Sequence, residues 1–248
     1  NNNLLEFTFS KKLIFAWKCF SLSAKIVKYK SMLMNDIFYT CPVTGQDLNL
    51  NEKGIYSSSN SNYEVINEIP RFCSKENYSE SFGFQWNIFD RTQLDCYSMS
   101  DLSQKRFWTS TGWDPNSLTN LKVLEVGCGA GRFTEAFLKS SNGKLYSIDY
   151  STAVDANLRN NYKYKSRLML SQASIYQLPF KDNSFDKIFC LGVLQHTPSF
   201  PLSIKSLVKK LIPGGELVID FYPSKGFITK LHSKYILRPI TKRIPKKL

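Results

Sequence analysis

Residues 121–133 read LKVLEVGCGAGRF, a short apolar run that ends in closely spaced glycines and then opens an amphipathic stretch. The apolar run predicts a buried strand, and the stretch from Arg132 to Lys139 predicts a helix. Glycine at 127, 129 and 131 lets the backbone turn sharply, and it lets a ligand approach the chain closely. The segment therefore predicts a ligand-binding turn between a strand and a helix.

The glycine spacing separates two ligand classes that use such a turn, dinucleotides and S-adenosylmethionine. The dinucleotide fingerprint G-x-G-x-x-G needs a glycine at position 132, where the helix packs closely on the strand. This chain has Arg132 there and follows G-x-G-x-G instead. A glycine pattern alone is weak support, so the flanking motifs have to agree with it.

Strands and helices alternate through the C-terminal half of the chain. The pattern predicts strands at 121–126, 144–149, 167–173, 185–193 and 216–222, and helices at 132–139, 151–161 and 202–212. Ser151 is the predicted N-cap of the second helix, and the sequence PGG at 213–215 is expected to end the third. Such alternation predicts an α/β, Rossmann-like, doubly wound parallel sheet with helices on both faces. Its strands then end at one edge, where ligands bind.

Two segments agree with an adenosine-containing ligand. Asp149 ends the second predicted strand, and a carboxylate there can accept hydrogen bonds from both hydroxyls of a ribose. Residues 173–175 follow the third strand and are placed to touch an adenine.

Taken in order, the motifs of residues 121–222 resemble class I S-adenosylmethionine-dependent methyltransferases of the kind called type 11. The stretches IPRF at 69–72, SFGFQW at 81–86 and QLD at 93–95 resemble the N-terminal extension of a bacterial subgroup. In that subgroup Cys41 would belong to a zinc-ribbon-like element. Here the partner cysteines are missing, so we expect a degenerate remnant and no metal site.

The resemblance implies S-adenosylmethionine as the cofactor, and it implies a set of contact residues. These are Glu125, Gly127, Cys128, Gly129, Ala130, Gly131, Asp149, Tyr150, Ser174, Ile175, Leu191, Gly192 and Val193. The residues up to 131 would surround the methionine portion and ribose, Asp149 would hold the ribose, and the pair at 174–175 would flank the adenine beside Tyr150. Residues 191–193 would close the pocket. Many relatives have Asp at the position of Ser174, so this position departs from the pattern.

His196 follows the fourth predicted strand at the ligand-binding edge. A neutral imidazole there can accept a proton from an acceptor hydroxyl, so His196 is the candidate general base, with a packing role as the alternative. The resemblance favours methyl transfer to a hydroxyl, or another nucleophile, of a small or saccharide-like metabolite. An RNA (rRNA or tRNA) methyltransferase and a non-catalytic binding protein with this fold stay open as alternatives.

The net charge of +13 is concentrated at the two ends of the chain, and the middle is neutral. We predict a basic N-terminal segment, helical or poorly ordered (1–35), a small β-ribbon (36–72), an aromatic-rich helical lid (73–118), the methyltransferase core (119–223) and a basic C-terminal helix or tail (224–248). Basic tails most often serve as solvated ends. They also leave open contact with nucleic acid or weak contact with an anionic membrane surface.

Composition narrows the remaining choices. Hydrophobic residues form 42% of the chain and aromatics 14%, which excludes a disordered protein. The six cysteines lack C-x-x-C spacing and are expected to be reduced thiols of a cytoplasmic protein.

The tail beyond Tyr222 is too short for a crossover helix and a hairpin, so we expect a truncated chain that lacks the last two strands of the fold. Translation starting at Met32 or Met34 is a further expectation.

Overall fold

The computed structural model describes residues 39–52, 54–74, 77 and 79–220. The predictions for the basic N-terminal segment, for a start at Met32 or Met34, for the basic C-terminal tail and for the missing last strands lie outside these described residues. Within them, no helix is long and apolar enough to cross a membrane.

The N-terminal part of the described chain is a four-stranded antiparallel ribbon. Its strands are β1 (Asn49–Leu50), β2 (Ile55–Ser58), β3 (Ser61–Ile66) and β4 (Ile69–Pro70), in the order β1-β2-β3-β4. The rings of Tyr39, Tyr56 and Phe72 pack together on it, with centroids 4.8 to 6.0 Å apart. Such ring pairs contribute apolar area that a two-stranded hairpin alone would lack.

Short helices connect the ribbon to the main domain. They are α1 (Glu80–Ile88), α2 (Asp95–Ser98) and α3 (Leu102–Thr111), followed by a 3₁₀ turn at Pro115–Leu118. The buried Asp95 carboxylate accepts hydrogen bonds from the backbone N–H groups of Ser103 and Gln104, at 3.0 and 2.9 Å. This satisfies first-turn amides of α3, which would otherwise have no partner.

The main domain is a five-stranded parallel sheet. Its elements are β5 (Lys122–Val126), α4 (Arg132–Ser140), β6 (Lys144–Asp149), α5 (Ala153–Asn161), β7 (Leu168–Gln172), β8 (Phe185–Cys190), α6 (Phe200–Lys210) and β9 (Leu211–Ile219). The strand order is β7-β6-β5-β8-β9. The predicted Rossmann-like parallel sheet is confirmed. The order reverses beside β5, so the glycine turn lies at the switch point where such sheets bind ligands.

Several element boundaries differ from prediction, and two of the differences fall on residues singled out in the sequence. The second core helix begins at Ala153 with Thr152 at its N-cap position, but the Ser151 hydroxyl accepts a hydrogen bond from the Ala153 N–H at 3.2 Å. The sequence PGG at 213–215 does not separate helix from strand. It lies inside β9, where the register with β8 shifts between the Phe185↔Leu211 and Lys187↔Glu216 pairs, so the expected break is a bulge.

The two faces of the sheet are covered differently. On one face, Phe107 of α3, Phe137 of α4 and Val154 of α5 are buried against the strands. On the other, α6 covers part of the sheet through Leu207, and the ribbon covers the rest through Tyr39 and its neighbours. Residues 173–184, which connect β7 to β8, contain no helix. The ribbon therefore fills a place where a crossover helix is usual.

Hydrogen bonds and an ion pair also connect the ribbon to the edge of the sheet. The Phe72 N–H donates to the Gln172 carbonyl at 2.7 Å, and Arg71 forms a parallel bridge with Gln172. The Arg71 guanidinium, 9% exposed, lies 2.7 Å from the Asp155 carboxylate on α5 and donates to the Gln172 side chain at 3.2 Å. The chain after β4 thus pairs with the outer edge of β7 through one isolated bridge.

Candidate functional site

A cavity of about 300 Å³ lies at the carboxyl ends of β5, β6 and β8, beneath α1. The predicted site residues that line it are Gly127, Cys128, Gly129, Ala130, Asp149, Tyr150, Ile175, Leu191, Gly192, Val193 and His196. The structure thus brings together residues from five separate segments of the chain. Glu125, Gly131 and Ser174 do not line the cavity.

Gly127 and Gly129 of the turn are glycines for different structural reasons. Gly127 has φ +82°, and a β-carbon there would lie 2.2 Å from Cγ2 of Val193. Gly129 has φ +51°, and a β-carbon there would meet nothing nearer than the Trp86 indole at 3.6 Å. Gly127 is therefore required by packing against the loop after β8, whereas Gly129 leaves its backbone open to the cavity.

Gly131, a predicted cofactor contact, does not line the cavity. It has φ +94° at the N-cap position of α4, and a β-carbon there would lie 2.3 Å from the Asn161 side chain and 2.4 Å from that of Asn157. Both asparagines belong to α5. The third glycine of the motif therefore permits close packing of α5 against the start of α4 and lies away from the cavity.

Glu125 is also placed differently from the prediction. Its carboxylate is buried behind the turn and accepts hydrogen bonds from the hydroxyls of Thr134 and Ser147. Asn157 of α5 donates in turn to the Thr134 hydroxyl at 2.8 Å. Burial raises the pKa of Glu125 to about 7, although these hydrogen bonds act in the opposite direction. Glu125 supports the turn from behind.

Ser174 is the third predicted contact that does not line the cavity. Its hydroxyl accepts a hydrogen bond from the Tyr176 N–H at 3.2 Å, and its backbone forms a bridge with Gln177. The side chain therefore stabilises a local turn. From this segment, Ala173 and Ile175 line the cavity instead.

Asp149 links the ends of β5 and β6. One carboxylate oxygen, Oδ2, accepts from the Gly129 N–H at 2.9 Å, and Oδ1 accepts from the N–H and hydroxyl of Ser151 at 2.8 and 2.7 Å. Burial raises the pKa of Asp149, against the lowering effect of these bonds. The backbone N–H of Tyr150 also acts on this carboxylate as a hydrogen-bond donor. The contact of Asp149 with a ribose stays a prediction.

Two aromatic side chains of α1 form the wall opposite the sheet. Phe82 and Trp86 lie one helical turn apart and both line the cavity. The Phe82 ring packs against the His196 imidazole, with centroids 5.3 Å apart and planes at 57°. His196 ends a 3₁₀ turn at Leu194–His196 that follows β8. Nothing in the sequence distinguishes Phe82 and Trp86, which line the cavity, from aromatic residues that pack in the core.

Two arginines of the cavity were missed by the sequence analysis. The Arg106 guanidinium on α3 lies 2.6 Å from the Asp220 carboxylate, and the Arg132 Nε donates to the Ser103 hydroxyl at 2.8 Å. Both guanidinium carbons lie near the Phe133 ring, 5.4 and 5.1 Å from its centroid. Arg132 directly follows the glycine motif, which was an available signal, whereas nothing in the sequence marks Arg106.

Around Cys41 the neighbours are hydroxyl groups. Its sulfur lies 3.5 Å from the Ser61 hydroxyl and 3.3 Å from that of Tyr63. Burial opposes ionisation, but hydrogen bonds from Ser61, Thr44 and Tyr63 outweigh it and lower the pKa of Cys41 to about 6. In the described part of the chain, no group of three or more His, Cys, Asp or Glu residues could hold a metal ion.

Comparison with known proteins agrees with this geometry. Residues 124–219 match the sequence model of a family described as "Methyltransferase domain". The chain is 35% identical over 106 residues to a tRNA U34 carboxymethyltransferase of Nautilia profundicola, covering 42% of this chain and 35% of that protein. It is 31% identical over 100 residues to a demethylmenaquinone methyltransferase of Staphylococcus aureus, covering 40% of this chain and 42% of that protein. It is also 31% identical over 105 residues to a sterol 24-C-methyltransferase of Neurospora crassa, covering 39% of this chain and 26% of that protein.

The parallel sheet, the glycine turn at its switch point and the family match together identify residues 124–219 as a class I S-adenosylmethionine-dependent methyltransferase domain. The chain spans about a third of the length of the tRNA-modifying relatives that it matches.

The cavity fits S-adenosylmethionine, the cofactor of this class. Ala173 and Ile175 offer an apolar surface for the adenine, and the Asp149 carboxylate lines the same cavity. At Gly129 the backbone is open where a β-carbon would project towards Trp86. These features leave room for the cofactor to lie along the glycine turn.

Proposed function

We propose that the protein transfers the methyl group of S-adenosylmethionine to a hydroxyl of a small acceptor, with saccharide-like metabolites as the leading class. We further propose His196 as the general base. The observation that carries the proposal is the packing of Phe82 on His196 across the cavity, next to the glycine turn and Asp149.

The strand order supports this arrangement. Asp149 ends β6 and His196 follows β8, and these two strands flank β5 on opposite sides. With its adenosine portion towards β6 and β7, the cofactor would direct its sulfonium towards the β8 side. The methyl group on a sulfonium is already electrophilic. The protein therefore has to align the acceptor and exclude water, which is the main contribution of a positioned site.

The acceptor would lie between α1 and the turn after β8. Phe82 and Trp86 offer ring faces on which a sugar ring or another compact ring can pack, and α1 covers the cavity from solvent. The imidazole of His196 is the basic group beside Phe82. In its neutral form it can accept the hydroxyl proton as the methyl group is transferred.

An RNA acceptor is the second candidate, because the relative from Nautilia profundicola is named for tRNA U34 carboxymethylation. The charge of +13 would favour phosphate contacts. A cavity of about 300 Å³ beneath a helix would then require the target base to leave its stack. Binding of bulk tRNA that weakens steeply with salt would support this candidate, whereas salt-independent or absent binding would argue against it.

The test is calorimetric titration with S-adenosylmethionine and S-adenosylhomocysteine, followed by a screen of hydroxylated small molecules with methyl-labelled cofactor. Asp149→Ala should abolish measurable binding. Asp101→Ala is the matched control, because this carboxylate is exposed and pairs with Lys105 on the surface. Cofactor binding with no transfer to any small molecule would instead favour RNA or a non-catalytic role. A folded protein that binds neither compound would overturn the proposal.

A further inference from the structure

We infer that Tyr176 is a positioning residue whose hydroxyl fixes the loop that carries His196. The inference rests on the proposed role of His196 as general base, and it adds a residue that is not among the predicted site residues. Tyr176 is not one of the residues that line the cavity, so it would act through the loop and not on the acceptor.

The loop between β8 and α6 is attached to the rest of the domain on both sides of His196. On one side, the Val193 side chain packs on the backbone of the glycine turn at Gly127. On the other side, Ser199 at the N-cap position of α6 is bound by Tyr176. His196 is three residues from each of these points. The position of its imidazole therefore depends on both attachments.

The attachment at Ser199 consists of two hydrogen bonds to one hydroxyl. The Tyr176 Oη accepts from the Ser199 N–H at 2.7 Å and donates to the Ser199 carbonyl at 3.3 Å. Both partners are backbone atoms, so the hydroxyl acts on the path of the chain itself. The same carbonyl accepts from the N–H and the hydroxyl of Ser203 on α6, at 3.1 and 2.9 Å. Tyr176 thus fixes the residue at which the loop becomes a helix.

Tyr176 is itself well placed to serve as an anchor. Its N–H donates to the Ser174 hydroxyl at 3.2 Å within the local turn at 174–177, and its ring packs, partly buried, against the core of the sheet. Its neighbour Ile175 is buried and lines the cavity. An anchor of this kind matters for chemistry, because a displacement of about 1 Å in a reacting geometry can lower a rate by about 10²-fold.

The test follows His196 by NMR on the full chain with labelled histidine, at about pH 8, where an ordinary imidazole is neutral. The chain contains two histidines, so His196→Gln assigns the signals of His196 and His232. The His196 ring lies 5.3 Å from the Phe82 ring, whose ring current displaces its resonances. Tyr176→Phe removes the hydroxyl and keeps the ring. It should move or broaden the His196 signals towards those of a solvated histidine and leave the His232 signals unchanged.

The amide of Ser199 gives a second readout in the same samples. In Tyr176→Phe this N–H loses its acceptor, so its hydrogen exchange should become roughly five- to tenfold faster, the effect of losing one neutral hydrogen bond. Should this variant fail to fold, the wild type alone decides. A Ser199 amide that exchanges as fast as a free amide would then overturn the inference. Exchange at least roughly fivefold slower, with His196 signals displaced from the solvated position, would support it.

Two control variants separate this effect from the loss of any hydroxyl. Tyr162→Phe removes a hydroxyl that accepts a hydrogen bond from Lys165 at the surface. Ser199→Ala keeps the backbone atoms that Tyr176 binds. Neither control should move the His196 signals. Unchanged His196 signals in Tyr176→Phe would overturn the inference, and so would signals of both histidines that move together, because this would show a general loosening of the fold.

Calorimetry with S-adenosylhomocysteine on the same samples separates this inference from the proposed function. We expect the affinity of Tyr176→Phe to stay within a factor of about two of wild type, because the hydroxyl lies outside the cavity lining. If wild type binds S-adenosylhomocysteine and the His196 signals do not respond to Tyr176→Phe, this inference alone fails. If wild type does not bind it, the proposed function fails and the inference fails with it.

Discussion

A β-carbon on Gly127 would lie 2.2 Å from Cγ2 of Val193. The Val193 side chain, in the loop after β8, therefore packs directly on the backbone of the turn after β5, where Gly127 contributes no side chain. Both segments line the cavity, so the contact fixes the width of the site between two strands of the sheet.

Gly127→Ala should destabilise the protein by about 3 kcal/mol, because it combines overpacking with a positive φ that alanine disfavours. Urea denaturation measures the free energy of unfolding. Adding Val193→Ala should recover about 1 kcal/mol, since it removes the two nearest methyl groups and leaves the φ strain. Strictly additive effects of the two substitutions would contradict the contact.

Gly129→Ala should behave differently. A β-carbon there has ordinary contact distances, 3.6 Å to Trp86, so the stability cost should be only about 1 kcal/mol from the positive φ. The added β-carbon would, however, project into the cavity and obstruct the ligand. We therefore expect the affinity for S-adenosylhomocysteine to fall at least roughly tenfold, which corresponds to about 1.4 kcal/mol. Thermal melting and calorimetry on the same sample separate the two effects. A large loss of stability with unchanged affinity would refute this view of Gly129.

Glu125 should make stability depend on pH. Its folded-state pKa is raised from 4.5 to about 7, so the folded state holds a proton that the unfolded chain releases between these values. The contribution of Glu125 to the free energy of unfolding should therefore be highest below about pH 4.5. It should fall by about 3 kcal/mol as the pH rises through 7. Glu125→Gln should lack that decrease. If the free energy of unfolding depended on pH in the same way in Glu125→Gln and in wild type, this role of Glu125 would be excluded.

His196→Gln should lower kcat by about 10²- to 10⁴-fold for a hydroxyl acceptor, because the general base is lost. Affinity for S-adenosylhomocysteine should stay unchanged. Phe82→Ala serves as the comparison: it should raise KM more than it lowers kcat, since it removes a packing surface and leaves the imidazole. Transfer from methyl-labelled cofactor, followed across pH, measures both. A kcat for His196→Gln within a factor of about two of wild type would remove His196 from the chemistry.

Arg71→Met should destabilise the protein by about 3 kcal/mol, because it leaves the partly buried Asp155 carboxylate without its partner. The double variant Arg71→Met with Asp155→Leu should recover much of this loss. Urea denaturation gives both values, and protease cleavage within residues 54–66 reports whether the ribbon has loosened. Lys105→Met, at an exposed ion pair, is the control and should cost less than about 1 kcal/mol.

The parallel sheet could be predicted because each of its strands is a local pattern. Val123 to Val126 and Leu145 to Ile148 are buried on both faces and are mostly apolar, apart from Glu125 and Ser147. The position of Asp149 follows from the same logic, because the residue that ends a parallel strand lies at the ligand-binding edge. These features depend on residues close together in the chain.

The sequence could not show how individual side chains are used. Glu125, Gly131 and Ser174 are predicted cofactor contacts because of their place in a motif, but they do not line the cavity: Glu125 accepts hydrogen bonds from Thr134 and Ser147, and Gly131 packs against α5. No local pattern distinguishes a glycine that admits a ligand from one that admits a helix. Arg106 could not be predicted either, because its partner Asp220 is more than a hundred residues away.

The ribbon changes where the domain can be cut. Sequence similarity to the methyltransferase family begins at residue 124, yet Phe72 and Arg71 occupy the outer edge of β7, and Tyr39 is buried in the core. A fragment that starts at the similarity boundary would leave a bare strand edge and an uncovered apolar face, which is the arrangement that promotes association between chains. The smallest unit that can be expected to stay monodisperse therefore begins before Tyr39, some eighty residues upstream of the point where the family becomes visible.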